Sequence, residues 1–243
     1  MPTVDRPDGA LIYYETYGEA ANPPILLIAP GGLNSAIPFW GRQPINPIEA
    51  FADEFRVIAM DQRNAGQSRG PLDTTDPWRM FAGDQLAVLD ACGVQRAQVI
   101  GCCIGCTYIF ELIEQAPERV VSGVLMQPIG HDETNSGTFG PQTWEPWGKA
   151  LIDEGAKFDA ETVDKFGHAL FDSGFVFSVD RDFLKKIQTP LLLLYGNDRA
   201  HPRGVSVELA GLLPNVETIE RWKDPDTAPT AQEKMRGFLR RSK

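Results

Sequence analysis

The chain is 243 residues long, with 42% hydrophobic and 23% charged residues and a formal net charge of −10. That length holds one large α/β domain with a modest insertion rather than two full domains, and the composition excludes a disordered or membrane class. The acidic balance argues against a nucleic-acid partner, and no apolar run is long enough to span a bilayer.

Residues 2–18 read as a hairpin turned by Asp8-Gly9. Pro24 to Ala29 is a continuous apolar strand of the kind buried on both faces in a parallel sheet, and it runs into Pro30-Gly31-Gly32. Glycines directly after a central strand let backbone N–H groups point at a ligand, as an oxyanion hole requires. Three prolines in the next 20 residues predict a loop with one short helix. Arg56 to Asp61 is a second buried strand. Asp76 then caps a helix that has Pro77 at its first position and Trp78, Ala82, Leu86 and Leu89 on one face.

Ala97 to Ile100 forms the next strand, and Gly101-Cys102-Cys103-Ile104-Gly105 follows it. Apolar residues at helical spacing (Ile109, Leu112, Ile113, Ala116) continue from there to Pro117. A strand therefore turns sharply into a helix, the two glycines allow close backbone packing, and Cys103 is held at the tip with its side chain exposed. A thiol at a helix N-terminus is biased toward thiolate, the reactive form.

Cys103 to Cys106 also spells Cys-x-x-Cys, but a thioredoxin-like redox domain fits neither the length nor the remaining pattern. A zinc site lacks a second ligand pair, so no metal is expected. Cys92, Cys102 and Cys106 read as small buried hydrophobes.

Val120 to Met126 is a further strand, so strands and helices alternate as in a doubly wound parallel sheet. Residues 130–180 break that rhythm with aromatic residues and two helical stretches, 146–155 and 160–171. Such an insertion after a strand's C-terminal end lies over the ligand face, so it reads as a lid above an apolar pocket. The core is then 1–129 and 181–243. Pro190 to Tyr195 resumes the sheet, a helix runs to Leu213, Val216 to Trp222 is the last strand, and Ala231 to Arg240 is the closing helix.

Taken together, Pro30-Gly31-Gly32, Asp61 to Ser68, the Gly101 to Gly105 turn and Gly196-Asn197-Asp198 ahead of Pro202 resemble the α/β-hydrolase superfamily over nearly the whole chain. The resemblance implies the α/β-hydrolase fold, a doubly wound, mostly parallel sheet with a small helical lid. The cysteine at the elbow is similar to that of the dienelactone hydrolases, in which Cys, His and Asp form the triad. Carried over residue by residue, Cys103 is the nucleophile, Gly32 and Ile104 supply the oxyanion N–H groups, and Asp198 is the acid that orients a histidine.

The family's histidine follows the last strand, where this chain has Glu220 to Asp226 and no histidine. His201, in the loop that bears Asp198, is the leading substitute base, His131 is the alternative, His168 would come from the lid, and a thiolate with no histidine partner could still carry out the first step. Gly66 to Gly70 spells Gly-x-Ser-x-Gly around Ser68, but no helix follows it, so Ser68 is not expected to react.

The expected protein is a cytoplasmic hydrolase that forms an acyl-enzyme on Cys103 from a small apolar ester, lactone or thioester. It needs no cofactor, its partner is a small-molecule substrate rather than a membrane or nucleic acid, and its oligomeric state is open. The alternatives are a non-hydrolytic homologue that binds a small apolar ligand, or lyase or isomerase chemistry in the same pocket.

Overall fold

The hairpin is β1 (Thr3–Asp5) paired antiparallel with β2 (Leu11–Tyr17) in the structure, a computed structural model that describes residues 2–242. Met1 and Lys243, the outermost residues of the expected core, lie outside the described residues. Asp8 closes the turn by accepting the Ala10 N–H at 3.0 Å.

The other strands are β3 (Pro24–Ile28), β4 (Arg56–Met60), β5 (Ala97–Cys102), β6 (Val120–Met126), β7 (Leu191–Leu194) and β8 (Val216–Ile219). They join in one eight-stranded sheet of order β1-β2-β4-β3-β5-β6-β7-β8, parallel from β4 onward. From β3 the chain winds outward to β4, then crosses back over β3 to place β5 on its other side. Helices on both faces bury each central strand twice. Leu26 and Ile28 of β3 face one apolar cluster, and Ile25 and Leu27 face the other. Ligands bind at such a switch point, at the C-terminal ends of the strands.

One face carries α2 (Pro77–Ala91) and α3 (Ile104–Gln115), and Asp76 caps α2 by accepting the Arg79 N–H at 3.1 Å. The opposite face carries α8 (Ala228–Arg241) and the short α1 (Pro47–Phe51). Between β6 and β7 lie α4 (Pro141–Asp153), α5 (Ala160–Phe171) and the single turn α6 (Arg181–Leu184), and α7 (Arg203–Leu212) follows β7.

The structure departs from the sequence reading at several element boundaries. The segment after β3 forms two 3-10 turns (Gly32–Asn34 and Ile37–Arg42) before α1, not one short helix. α4 begins at Pro141 because proline suits the first helical position, and Pro146 lies inside the helix rather than starting it. β8 stops at Ile219, since Trp222 turns inward and donates its indole N–H to the Tyr195 carbonyl at 2.8 Å. Cys92 is half-buried beside Tyr14 rather than fully buried, whereas Cys102 and Cys106 are buried as expected.

Candidate active site

The last residue of β5 and the first of α3 are separated by Cys103 alone, whose backbone is held at φ 60°, ψ −120°. L residues rarely adopt a positive φ, so this conformation costs energy that the surroundings must supply. Two glycines make it possible. A Cβ on Gly101 would lie 2.3 Å from the Gly105 carbonyl oxygen, and one on Gly105 would lie 2.4 Å from the Ile28 carbonyl oxygen. The helix start can therefore press directly onto the sheet. The Cys103 N–H donates to Met126 at 2.9 Å, which ties the turn to β6.

Cys103 occupies the cap position of the 12-residue α3 without a side-chain capping bond, so its sulfur stands at the positive end of the helix. It is half-buried and opens on a cavity rather than standing exposed as the sequence suggested. Burial pushes its thiol pKa up, but His201 beside it and the backbone N–H groups of Ile104 and Gly31 outweigh that effect, and the net shift is downward. The Ile104 N–H, at the helix start, is one of the two backbone donors beside the sulfur. The loop N–H that reaches the sulfur is that of Gly31, while Gly32 begins the next 3-10 turn and lines the same cavity.

The loop after β7 brings Asp198 and His201 together by a local device. Asp198 Oδ1 accepts the backbone N–H groups of Ala200 and His201, each at 3.0 Å, which folds the loop back on itself. The same oxygen lies 2.8 Å from His201 Nδ1. Gly196 permits the fold, since a Cβ there would meet the His201 carbonyl oxygen at 2.2 Å. His201 Nε2 is buried and has no hydrogen bond of ordinary geometry, and its neighbouring reactive group is the Cys103 thiol. Burial pushes the imidazole pKa down, but Cys103 and Asp198 raise it by more. A thiol shifted down beside an imidazole shifted up favours the thiolate–imidazolium pair.

The late loop, which has no histidine, contributes Lys223 instead. Its ammonium donates to Asn197 Oδ1 at 2.6 Å and lies 3.4 Å from Asp198 Oδ2. Burial raises the Asp198 carboxyl, yet His201 and Lys223 together hold it below the usual carboxylate range. Sequence reading missed this residue, because the expected group in that loop is a base rather than a cation.

The other candidates are occupied elsewhere. His131 is exposed, with Nε2 3.3 Å from the Phe171 carbonyl oxygen and its ring 4.7 Å edge-on to Phe177. His168 lies on α5 between Asp164 and Asp172, with Nδ1 2.7 Å from Asp172. Cys106 points its thiol at the Gly101 and Met126 carbonyls, both at 3.4 Å, rather than pairing with Cys103. Among the described residues, no group of three or more His, Cys, Asp or Glu is placed to hold a metal ion, and no helix is long and apolar enough to cross a membrane.

Cys103 and His201 open on a cavity of about 370 Å³ with Phe39, Ile129, Phe139 and Phe171 on its walls. Phe139 and Phe171 come from the segment between β6 and β7 and stack at 5.8 Å. Most of the remaining aromatic residues of that segment, including Trp144, Trp147, Phe166 and Phe177, are buried in its packing against the sheet layer. Gln43 and Gln127 also line the cavity. Gln127 was legible in principle, because the residue that follows a central strand's C-terminal end faces the ligand side.

A profile of the alpha/beta hydrolase fold family matches residues 24–172. The chain belongs to this family. Among its curated relatives, the “Putative carbamate hydrolase RutD” of Azorhizobium caulinodans is 41% identical over 125 residues, which is 50% of this chain. Rhodomycin D methylesterase DauP of Streptomyces sp. (strain C5) is 35% identical over 129 residues, or 52% of this chain. The chain spans 42% of the length of each. Two solved structures share the fold across almost the whole chain. The meta-cleavage product hydrolase CumD from Pseudomonas fluorescens IP01 superposes with a TM-score of 0.72 at 18% identity, covering 100% of this chain and 98% of the other. The enol-lactonase from Burkholderia xenovorans LB400 gives 0.70 at 20% identity, covering 98% and 99%.

Proposed function

We propose that this protein is a hydrolase of small esters, lactones or thioesters that forms an acyl-enzyme on Cys103, with His201 as its base and Asp198 orienting the imidazole. One observation carries the reading: a lowered thiol at a strained strand-to-helix turn, beside a half-buried imidazole whose Nε2 is buried and whose Nδ1 Asp198 holds at 2.8 Å. The cysteine elbow is similar in chemistry to that of the dienelactone hydrolases. The methylesterase and enol-lactonase names among the relatives support an acyl-transfer reaction.

In the first half-reaction the Cys103 thiolate attacks the carbonyl carbon, and the carbonyl electrons move onto oxygen. The N–H groups of Ile104 and Gly32, at the helix start and the loop after β3, receive that oxyanion. The C–O or C–S bond breaks, the leaving group takes the proton from the His201 imidazolium, and a Cys103 thioester remains. In the second, His201 removes a proton from water as the water attacks the thioester. Collapse releases the acid and restores the thiolate–imidazolium pair. Residues 130–180 act as the lid that excludes other water, and the segments 1–129 and 181–243 form the body that holds the triad. The partner is a small molecule, and the reading places the enzyme in the cytoplasm.

Steady-state hydrolysis of an activated neutral short-chain ester tests the proposal. Cys103→Ala loses turnover, and Cys103→Ser retains the geometry but loses most of the rate, since a serine hydroxyl stays protonated where the thiol ionises. Full activity in Cys103→Ala would end it.

A further inference from the structure

Away from Cys103 and His201 the cavity wall is largely apolar, and its uncharged polar side chains are Thr143 and two carboxamides, Gln43 and Gln127, which are held only by long contacts. Gln127 Nε2 lies 3.4 Å from Gln43 Oε1 and 3.5 Å from the Cys102 sulfur, the Cys102 thiol lies 3.5 Å from Gln43 Oε1, and Gln43 Nε2 lies 3.4 Å from the Phe39 carbonyl oxygen. The two nitrogen–oxygen contacts fall beyond the roughly 2.7–3.2 Å of an ordinary N–H···O bond. Gln127 is buried and Gln43 half-buried, and an amide held only by long contacts costs more in such a wall than an apolar side chain.

Gln127 also sits at φ 45°, immediately after β6, where its N–H donates to the Leu194 carbonyl at 2.8 Å. A side chain retained at a positive φ, in the family's ligand crevice, points to a use for that side chain. A carboxamide presents one donor edge and one acceptor edge whichever way it is turned. The matching ligand group is therefore uncharged and carries an N–H beside a C=O.

No Lys or Arg lines the cavity, and its charged groups are Cys103 and His201. Arg42 is stacked 4.7 Å over the Phe39 ring and Arg199 is bonded to Thr138 Oγ1 at 3.3 Å, and neither is a lining residue. A carboxylate entering here would lose its hydration without gaining a cation, and it would approach a thiolate.

We propose that Gln43 and Gln127 form a neutral polar subsite that selects acyl substrates ending in a carboxamide-type group and rejects those ending in a carboxylate. The proposal rests on Cys103 and His201 as the acyl-transfer centre. It adds that the substrate is uncharged, largely apolar, and polar where it meets Gln43 and Gln127, whose side chains both contact Cys102 next to the Cys103 turn.

The test uses activated esters of equal acyl length that end in a carboxamide, a methyl or a carboxylate. The expected order of kcat/KM is carboxamide, methyl, carboxylate. Gln127→Leu and Gln43→Leu should each shrink the carboxamide-to-methyl ratio by about tenfold, the loss of a neutral hydrogen bond or two. A ratio unchanged in both variants, or a preference for the carboxylate ester, overturns the subsite. If Gln127→Leu does not fold, Gln127→Asn and Gln43→Leu carry the same comparison.

A second readout separates this proposal from the hydrolase reading. Unreactive carboxamides and carboxylates of the same length are tested for slowing iodoacetamide alkylation of Cys103. Protection by the carboxamide alone, weakened in Gln127→Leu, supports the subsite even if no ester is turned over. Equal protection by the carboxylate counts against it whether or not esters are hydrolysed.

Discussion

Two loops in this chain spell nearly the same pattern, Gly66-Gln67-Ser68-Arg69-Gly70 and Gly101-Cys102-Cys103-Ile104-Gly105, and they do opposite things. Ser68 is fully buried, donates its hydroxyl to the Asp61 carbonyl at 2.8 Å and accepts the Tyr13 N–H at 2.9 Å. Its loop is pinned by Arg63, whose guanidinium grips Asp84 through two bonds of 2.7 and 2.8 Å. Cys103 has no side-chain capping bond, a strained backbone and a cavity in front of it. One loop uses its central side chain to hold the fold, whereas the other withholds it from the fold. The shared letters matter less than the element each loop leads into. Cys103 leads into a helix that presses on the sheet, and Ser68 leads into coil that must be tied down.

That contrast can be broken by substitution. Cys103→Ala should remove acylation altogether, a loss of roughly 10³-fold or more in turnover, with little change in the urea midpoint. Gly105→Ala should act on the elbow's packing instead, because its new Cβ meets backbone that cannot move away. A destabilisation of about 3 kcal/mol in urea unfolding is expected, together with a slower Cys103 reaction.

Ser68→Ala should do the reverse of Cys103→Ala. It leaves the Tyr13 N–H and the Asp61 carbonyl without their buried partner, costs about 1–3 kcal/mol of stability, and leaves Cys103 alkylation unchanged.

The pH dependence of alkylation sharpens the electrostatic half of the contrast. With the thiol held below its ordinary value of 9.0, Cys103 in the wild type should still react with iodoacetamide well under that pH. The thiolate is the charged form that His201 favours, so His201→Ala should move the midpoint upward, toward or past 9.0. Lys223→Met should give the smallest effect, an upward shift of less than about one pH unit. Its cation is partly exposed and contacts Asp198 rather than the sulfur.

Much of the architecture is legible in the residues. Continuous apolar runs mark the central strands, Asp76-Pro77 marks the start of α2, and the glycine spacing marks the turn at Cys103. Asp198 and His201 are close in sequence, so their meeting depends on a local turn that an Asp favours. What the sequence hides is non-local. The direction of His201 Nε2 depends on where α3 begins relative to β7, and the Lys223 contact depends on where β8 ends. The pairing of Gln43 with Gln127 joins residues 84 positions apart. The start of α4 is obscured for another reason: Pro141 and Pro146 each read as a boundary, and tertiary packing decides between them.

The most direct test is intact-protein mass spectrometry after brief exposure to an activated short-chain ester, with wild type, Cys103→Ala and His201→Ala side by side. The account predicts a transient acyl adduct in the wild type, none in Cys103→Ala, and a longer-lived adduct in His201→Ala, where no base activates the deacylating water. An adduct that survives in Cys103→Ala, or one that clears from His201→Ala as fast as from the wild type, would contradict it.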